Sequence, residues 1–371
     1  MCRMKVLQIS PYADPTIGGQ EKHVLNLSKT LASLGHEVTI FTCRYRSPNN
    51  SKNFRVYEVR SKGLLGLRLI SMKELAHFIS KNSFDIVHLH YETLFGETIL
   101  LTNKICKLPT VTTLHSQMIR SLPARFIYDR ISLRLISLLS RKVICLTPRI
   151  MQDLIRRGLD PYNCVVIPNA IDVESLKIQF QKIQKNLREH EFDLLFVGRL
   201  EQRKGIKWLL QSLILLHNKG KKVTLKIVGR GPLENKICRV ISANGLQKYV
   251  SLLGYIPEKD LLKLFLLTRC VVVPSLYEGV PSVALEAMVA NKPLIVTNIP
   301  GLSELVVNEC NGLIVNPFDI HGLASAIDRI LTTSNYLRLL GDVNDKILRN
   351  YDWKIVSHKI LETYHKALDE S

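Results

Sequence analysis

The chain has 371 residues, 46% of them hydrophobic and 22% charged, which is typical of a globular protein long enough for two domains. Its formal net charge of +19 favours anionic partners such as nucleic acid, anionic lipid or a phosphorylated substrate. No run reaches the roughly 18 to 20 apolar residues of a membrane-spanning helix, and the first residues lack the apolar core of a signal peptide. Eight scattered cysteines without a C-x-x-C pair favour buried thiols over a disulfide framework. We therefore expect a cytoplasmic protein.

The first half of the chain alternates short apolar runs with amphipathic stretches, a pattern typical of βα units around a parallel sheet. Between the first two apolar runs, Glu21 to Leu34 places apolar residues on one helical face, and Gly35 follows as a helix-ending residue. The predicted strands cover residues 5–10, 36–42, 55–59, 86–90, 109–114, 142–146 and 164–167.

The same alternation restarts after a polar, lysine-rich segment, 171–190, which is predicted to be a linker. It separates a first domain, 1–170, from a second, 191–351. Two consecutive Rossmann-like halves predict an α/β protein whose ligand lies in a cleft, at the carboxyl ends of the strands. The predicted strands of the second domain cover residues 192–197, 223–228, 250–253, 270–273, 293–296 and 312–315.

The most informative motif follows the strand near 270–273. Pro274 ends the apolar run, Glu278 and Gly279 lie in a loop, and Pro281 opens a predicted helix that carries Glu286. Free amide groups at the start of a helix form an anion site. Carboxylates beside that site suit the hydroxyl groups of a sugar and a ribose, which need hydrogen-bond acceptors. A nucleotide-sugar is a ligand that supplies phosphate, sugar and ribose together.

A basic loop follows the strand predicted at 192–197. Arg199 and Lys204 lie on this loop between Gly198 and Gly205. Arginine binds two oxygen atoms in a fork and lysine supplies a point charge, so the pair suits a diphosphate. A solvated basic surface loop is the alternative. The two glycines that flank the segment argue against it.

Three glycine-containing turns give weaker signals. Gly18 and Gly19 lie between the first strand and the first helix, where paired glycines let the backbone approach a ligand, although a flexible loop is the alternative. Gly229 lies in a strand-to-helix turn that also suits a plain tight turn. Tyr255 follows the next strand, in the sequence Gly-Tyr-Ile-Pro.

Three histidines lie at the ends of predicted strands in the first domain. His115 follows the strand at 109–114, and His88 and His90 share one face of the strand at 86–90. The last two are expected to line the cleft at most. No third ligand is evident beside them, so no metal site is predicted.

The second half of the chain resembles glycosyltransferase family 4, the retaining enzymes of the GT-B fold. Glu278 and Glu286 match the E-x7-E motif within Pro-Ser-x-x-Glu-Gly-x-Pro-x-x-x-x-Glu-Ala-Met, and Gly198 to Gly205 matches G-R-x-x-x-x-K-G. The resemblance is thinner over 1–170. It implies two Rossmann-like domains facing across a cleft, with a C-terminal helix, 352–371, packing back on the first domain.

The resemblance also implies roles for individual residues. Glu278 would orient the donor sugar, His115 would contact that sugar, and Arg199 and Lys204 would stabilise the departing diphosphate without a metal ion. Ser116 stands where the family usually has Asp or Gly. The implied donor-binding residues are Gly18, Gly19, Arg199, Lys204, Gly229, Tyr255, Glu278, Gly279, Val280, Pro281 and Glu286.

The predicted reaction is therefore transfer of a hexose from a UDP- or GDP-linked donor to an acceptor hydroxyl, with retention of anomeric configuration. The acceptor is expected to be a lipid-linked or cell-surface glycan. Two alternatives stay open at this point. One is a sugar-nucleotide epimerase of similar architecture, and the other is a non-catalytic protein that binds nucleotide-sugars or nucleic acid.

One segment of the first domain predicts where the protein works. Residues 118–142 hold six Lys or Arg and a single acid, Asp129. Apolar residues lie between them, including Leu122, Phe126, Ile127, Ile131, Leu135 and Leu138. A basic helix with an apolar stripe suits an anionic membrane surface, which predicts a peripheral protein at the inner face of the cell membrane. The alternative is a stripe packed on the sheet. No helix-turn-helix or RNA-binding motif accompanies the charge, so nucleic acid is not predicted.

Overall fold

The computed structural model divides the chain into two units, Met1–Ala170 with Trp353–Ser371, and Ile171–Asp352. For 62–64, 67–69 and 123–128 only the backbone is described. The structure describes residues 3–14, 18–46, 53–59, 62–64, 67–69, 72–91, 95–115, 123–184, 191–332 and 340–369.

The first unit contains a seven-stranded sheet in the order β3-β2-β1-β6-β7-β8-β9, with all pairs parallel. A short antiparallel hairpin, β4 and β5, was not among the predicted strands. The strands are β1 (Lys5–Ile9), β2 (Glu37–Thr42), β3 (Arg55–Glu58), β4 (Lys62–Leu64), β5 (Leu67–Leu69), β6 (Ile86–His90), β7 (Thr110–Leu114), β8 (Lys142–Cys145) and β9 (Cys164–Val166).

Six helices belong to the first unit, as far as the structure describes it. The last of them, α13, comes from the C-terminal end of the chain and packs against the core, where Tyr364 is fully buried with Val6 and Leu27. Apolar side chains at helical spacing, such as Val356, Ile360 and Tyr364, form its buried face. The helices are α1 (Gly19–Ser33), α2 (Met72–Lys81), α3 (Phe95–Cys106), α4 (Pro123–Leu139), α5 (Pro148–Arg156) and α13 (Trp353–Asp369).

The second unit contains a six-stranded parallel sheet in the order β12-β11-β10-β13-β14-β15. Its strands are nearly continuous apolar runs, as expected for strands covered on both faces. They are β10 (Phe192–Val197), β11 (Leu225–Val228), β12 (Val250–Gly254), β13 (Thr268–Val273), β14 (Leu294–Thr297) and β15 (Gly312–Val315). The helices are α6 (Val173–Gln184), α7 (Ile206–Asn218), α8 (Glu234–Ala243), α9 (Glu258–Leu267), α10 (Ser282–Val289), α11 (Ile320–Thr332) and α12 (Leu340–Leu348).

The predicted linker, 171–190, was wrong over most of its length. Residues 173–184 form α6, which contacts α9 and α10 of the second unit. Phe180 is buried on this helix and its ring meets Phe265 edge-on, with the ring centroids 6.4 Å apart. One buried aromatic residue thus anchors a helix whose other residues are mostly polar.

Two further observations concern the whole of the described chain. The seven cysteines within it are free thiols. None of its helices is both long enough and apolar enough to cross a membrane.

Candidate functional site

An ion pair between Lys204 and Glu278 lies at the centre of the candidate site in the second unit. Lys204 closes a single 3₁₀ turn, Gln202–Lys204, after β10, and Glu278 lies in the loop after β13. The two strands are parallel neighbours, so their carboxyl ends meet at one edge of the sheet. The Lys204 Nζ donates to Glu278 Oε1, and Ser275 Oγ donates to the same oxygen at 2.9 Å. The carboxylate is 8% exposed, so the pair is largely shielded from water.

Arg203 also belongs to this cluster, although the sequence did not single it out. Its Nη1 lies 3.9 Å from Glu278 Oε2, and its Nε donates to Glu201 Oε1 at 2.5 Å. The guanidinium group lies 5.6 Å from the centre of the Tyr277 ring, within range of a cation–π contact. The motif that drew attention to Lys204 leaves position 203 open, and only adjacency could have pointed to Arg203.

Two glycines allow the loops of the site to approach one another. Gly205 has φ +74°, and a Cβ atom there would lie 1.7 Å from the carbonyl oxygen of Pro274. Gly301 has φ +83°, and a Cβ atom there would lie 1.5 Å from the carbonyl oxygen of Gly279. Backbone therefore packs directly on backbone beside the ion pair, which no larger residue permits.

Arg199 stands apart from the ion pair of Lys204 and Glu278. It is 61% exposed, and its Nε lies 4.0 Å from Glu201 Oε2. Glu286 is half-buried on α10. The structure therefore brings Lys204 and Glu278 into contact and leaves the Arg199 side chain extended towards solvent.

The remaining predicted residues of the second unit lie at strand or helix ends. Pro281 is the residue before the first turn of α10, with Gly279 and Val280 buried just ahead of it. Gly229 has φ +131°, and a Cβ atom there would collide with the carbonyl of Gly198 after β10. Tyr255 follows β12 and is 64% exposed.

In the first unit, Gly18 and Gly19 stand at the start of α1. Gly19 is the first helical residue, and Gly18 is the extended residue before it. A Cβ atom on Gly18 would lie 2.9 Å from Glu21 Oε2, whereas one on Gly19 would meet nothing within 4 Å. Of these two glycines, only Gly18 therefore has a neighbouring side chain close to it.

His88, His90 and His115 form a buried hydrogen-bonded cluster along β6 and β7. His90 Nδ1 lies 2.8 Å from His115 Nε2, and His90 Nε2 lies 2.9 Å from Gln8 Oε1. His88 bonds through Nδ1 to the Tyr364 hydroxyl at 2.6 Å and through Nε2 to the Thr113 hydroxyl at 2.7 Å. The His88 and His90 rings stack with centroids 4.4 Å apart.

Burial keeps these imidazoles neutral. It lowers the pKa of His88 to about 3, with a further lowering from the nearby charge of His115. It lowers the pKa of His115 to about 4, against a smaller raising contribution from a hydrogen bond with the Asn169 side chain. The pKa values of His23 and His90 are also lowered, chiefly by burial. The charged form of each ring is disfavoured because it would lose water without gaining a counter-ion.

His23, which the sequence did not indicate, brings a third imidazole to His90 and His115. One nitrogen of each ring lies within 4.8 Å of one nitrogen of the others, which is close enough for a metal ion to be held. His23 comes from α1, far from β6 in the sequence, and no local pattern links the two. Two nitrogens of this group already face each other across the bond between His90 and His115.

Comparison with known proteins identifies the class of the molecule. The model of the family "Glycosyl transferases group 1" matches residues 177–343, and that of "Glycosyltransferase Family 4" matches 17–175. An uncharacterized glycosyltransferase of Methanocaldococcus jannaschii is 26% identical, over 99% of both chains. The chain is a glycosyltransferase. The GPI3 subunit of the phosphatidylinositol N-acetylglucosaminyltransferase of Saccharomyces cerevisiae is 24% identical, over 94% of this chain and 80% of that protein.

The fold of the glycosyltransferase is GT-B. A solved structure, Anabaena HepE in complex with UDP and glucose, superimposes with a TM-score of 0.80 at 20% identity, covering 97% of this chain and 99% of the other. The two parallel sheets described above are the Rossmann-like domains of that fold. The glycosyltransferase thus carries a charged cluster in its second unit and a neutral histidine cluster in its first.

Proposed function

We propose that this glycosyltransferase moves a hexose from a UDP- or GDP-linked donor to an acceptor hydroxyl, with retention of anomeric configuration. The observation that carries the proposal is the ion pair of Lys204 and Glu278, which is largely shielded from water. It places an ammonium group and a carboxylate at the edge of the sheet where the C-terminal ends of the parallel strands lie. HepE, of the same fold, has been crystallised with UDP-glucose, which supports a nucleotide-sugar donor.

Lys204 would stabilise the departing diphosphate. An ammonium group has three donors, and the bond to Glu278 uses one of them. The other two remain for phosphate oxygens, and the exposed guanidinium of Arg199 would add a second positive group. Negative charge grows on the diphosphate as the glycosidic bond breaks, so these groups stabilise the transition state more than the ground state. We propose that no metal ion is needed.

Glu278 and Glu286 would bind hydroxyl groups of the donor. A carboxylate only accepts hydrogen bonds and therefore suits sugar hydroxyls. Ser275 and Lys204 hold Oε1 of Glu278, and Oε2, which lies 3.9 Å from Arg203 Nη1 and beyond hydrogen-bond distance, would accept from the sugar. Glu286, half-buried on α10, is the proposed acceptor for the ribose hydroxyls. His115 is the proposed contact of the donor sugar in the first unit, on the strength of the sequence resemblance.

A screen of UDP- and GDP-sugars for thermal stabilisation would identify the donor. Transfer to lipid-linked and free glycan acceptors would then be assayed with that donor, and the anomeric configuration of the product read by NMR. We expect a product of retained configuration and release of the nucleoside diphosphate. An inverted product would contradict the retaining mechanism. Interconversion of the donor in the absence of acceptor would instead show an epimerase.

We also propose that the acceptor is held at an anionic membrane surface, the cytoplasmic face of the cell membrane. Part of the predicted stripe of α4 does not pack on the sheet: Ile131 is 56% exposed and Leu138 is 71% exposed. The buried side of the helix carries Leu133 and Ile136 instead. Leu122 and the side chains of Phe126 and Ile127 lie outside the described residues.

The neighbouring helix α3 extends this apolar surface. Leu101 is 43% exposed and Ile105 is 70% exposed, with the exposed Lys104 beside them. Helices α3 and α4 contact each other and connect consecutive parallel strands, so their exposed sides face away from the same side of the sheet. Arg130 and Arg134 are exposed on α4. Exposed apolar side chains with basic residues beside them suit a membrane surface, where anionic headgroups lie next to acyl chains.

Sedimentation with vesicles tests this surface. The protein should bind vesicles containing phosphatidylserine, fail to bind vesicles of phosphatidylcholine alone, and bind less at high salt. Changing Ile105 and Leu138 to Ser, or Arg130 and Arg134 to Gln, should abolish binding because these exposed side chains would contact the vesicle surface. Their loss should leave the core of the protein intact. The matched control changes the exposed Arg239 of α8 to Gln. Equal sedimentation with both kinds of vesicle, or with neither, would refute the membrane proposal.

A further inference from the structure

A chain of hydrogen bonds runs across three neighbouring strands of the first unit. Gln8 lies on β1, His90 on β6, and His115 directly after β7, and these strands are adjacent in the sheet. Gln8 and His90 are fully buried and His115 is 9% exposed. The bonds are 2.9 Å from Gln8 Oε1 to His90 Nε2 and 2.8 Å from His90 Nδ1 to His115 Nε2.

The direction of each bond follows from the one before it. The structure turns the Gln8 amide with Oε1 towards His90, and an amide oxygen only accepts, so in this orientation His90 Nε2 must carry a proton to donate to Gln8 Oε1. A neutral imidazole has one N–H group, so His90 Nδ1 is then an acceptor. His115 Nε2 must in turn donate to it, which leaves His115 Nδ1 as an acceptor.

We propose that Gln8 and His90 are positioning residues that hold His115 as the tautomer with its proton on Nε2. His115 then offers an acceptor at Nδ1 and can receive a hydrogen bond from a hydroxyl group, as of a sugar. The hydrogen bond from a sugar hydroxyl to His115 rests on the proposed function, in which His115 contacts the donor sugar. The assignment of the tautomer does not rest on the proposed function.

Other groups around the rings are compatible with this assignment. The Asn169 side chain interacts with His115 and can turn either its oxygen or its NH₂ group towards Nδ1, so it adapts to the tautomer. His23 meets the His115 ring edge-on at 5.0 Å between centroids. Burial lowers the pKa of each of these histidines, which keeps one proton on each ring at neutral pH.

A metal ion held by His23, His90 and His115 is the competing arrangement. Both nitrogens of His90 are engaged by hydrogen bonds, one to Gln8 and one to His115, so coordination by His90 would have to break one of these two bonds. The two arrangements therefore exclude one another, and an experiment can separate them.

Long-range proton–nitrogen NMR of the protein labelled with ¹⁵N-histidine reads the tautomer directly. The His115 signals are assigned by their loss in His115→Gln. We expect wild-type His115 to be protonated on Nε2 at pH 7. Protonation on Nδ1, or stoichiometric zinc in the purified protein with loss of the bond between the rings, would overturn the proposal. The tautomer is read from the wild-type spectrum, and the variant serves only to assign the His115 signals.

A matched pair of variants tests the part played by Gln8. Gln8→Met has similar length without an acceptor and should give a mixture of tautomers, whereas Gln247→Met, at an exposed position of the second unit, should preserve the tautomer. In the transfer assay, Gln8→Met should lower kcat/KM for the donor roughly three- to tenfold, the loss expected for one neutral hydrogen bond. Gln247→Met should keep the wild-type value. An unchanged His115 spectrum in Gln8→Met would refute the role of Gln8.

The two readouts separate two kinds of failure. If no nucleotide-sugar is a donor but His115 is protonated on Nε2, the proposed function fails and the positioning role stands. If transfer is observed but His115 is protonated on Nδ1, the positioning role fails and the proposed function stands.

Discussion

The two polar clusters of the molecule are built on opposite electrostatic principles. In the second unit, Lys204, Arg203 and Glu278 form a network of full charges at the carboxyl edge of the sheet. In the first unit, a hydrogen bond joins the neutral rings of His90 and His115, and the His88 ring stacks on that of His90. Both occur at the ends of parallel strands, so the fold provides the same kind of position for each.

The difference in charge between the two clusters determines which ligand groups each cluster can bind. Charged groups with unused donors can stabilise a diphosphate, whose charge grows during the reaction. Neutral rings hold fixed donor and acceptor positions, which suits recognition of uncharged hydroxyl groups.

The largest expected effect is loss of stability of the first unit in acid. The pKa of His88 is lowered to about 3 and that of His115 to about 4, against about 6.5 for an unfolded histidine. Between these values the unfolded state binds more protons, so the free energy of unfolding falls as pH drops below about 6.5. His115 alone would contribute about 3 kcal/mol, which is lost progressively between pH 6.5 and 4.

Urea unfolding followed by tryptophan fluorescence measures this loss. The chain has two tryptophans, and changing Trp208 to Phe leaves Trp353 as a probe of the first unit. His115→Gln should flatten the dependence on pH, whereas His358→Gln, at an exposed position, should leave it steep. A free energy of unfolding that is constant from pH 7 to 5 would show that the cluster is not neutral.

The next largest effect concerns Lys204. Lys204→Ala should reduce turnover by about 10²-fold or more, because it removes a charge that stabilises the transition state and leaves Glu278 without its partner. The assay is release of nucleoside diphosphate in the presence of acceptor. Lys207→Ala is the matched control, since Lys207 is exposed three residues away and should be dispensable. Near-normal kcat/KM in Lys204→Ala would remove this residue from the site.

A smaller effect is expected from the backbone contact beside the ion pair. Gly205→Ala and Gly220→Ala both place a side chain at positive φ, at +74° and +78°, which costs about 1–2 kcal/mol. Only the Cβ atom at 205 meets backbone, whereas nothing lies within 4 Å of the one at 220. Gly205→Ala should therefore lower Tm further and also weaken donor binding. Equal Tm values for the two variants would contradict this close packing.

No effect at all is expected from removal of metal ions. The proposed mechanism neutralises the diphosphate with side chains, and hydrogen bonds occupy both nitrogens of His90 in the histidine cluster. Transfer should continue in excess EDTA, as measured by nucleoside diphosphate release. Complete loss that Mn²⁺ restores would show that the metal-free mechanism is wrong.

The strands and the motif loops could be predicted from the sequence because both depend on local sequence patterns. Apolar runs at 192–197 and 312–315 coincide with β10 and β15. Lys204 and Glu278 each follow such a strand, and the rule that parallel strands end at one edge was enough to expect them close together. The glycosyltransferase class and the GT-B fold, which the motifs implied, are confirmed.

Contacts between side chains that are distant in sequence could not be predicted. His23 lies on the buried face of α1, where nothing in its neighbours indicates that it faces His90. Arg203 was overlooked because its partner Glu278 is distant in sequence. The helix over 173–184 was missed because Phe180 alone buries an otherwise polar segment. Each of these depends on tertiary packing, which overrides the local pattern.

Calorimetric titration with UDP and GDP tests most directly the claim that the charged cluster binds the diphosphate of the donor. One of the two should bind wild-type protein and Lys207→Ala with the same affinity, and Lys204→Ala at least tenfold more weakly, as expected for the loss of a charged hydrogen bond. Identical affinity of all three proteins, or no binding of either nucleotide, would contradict the account.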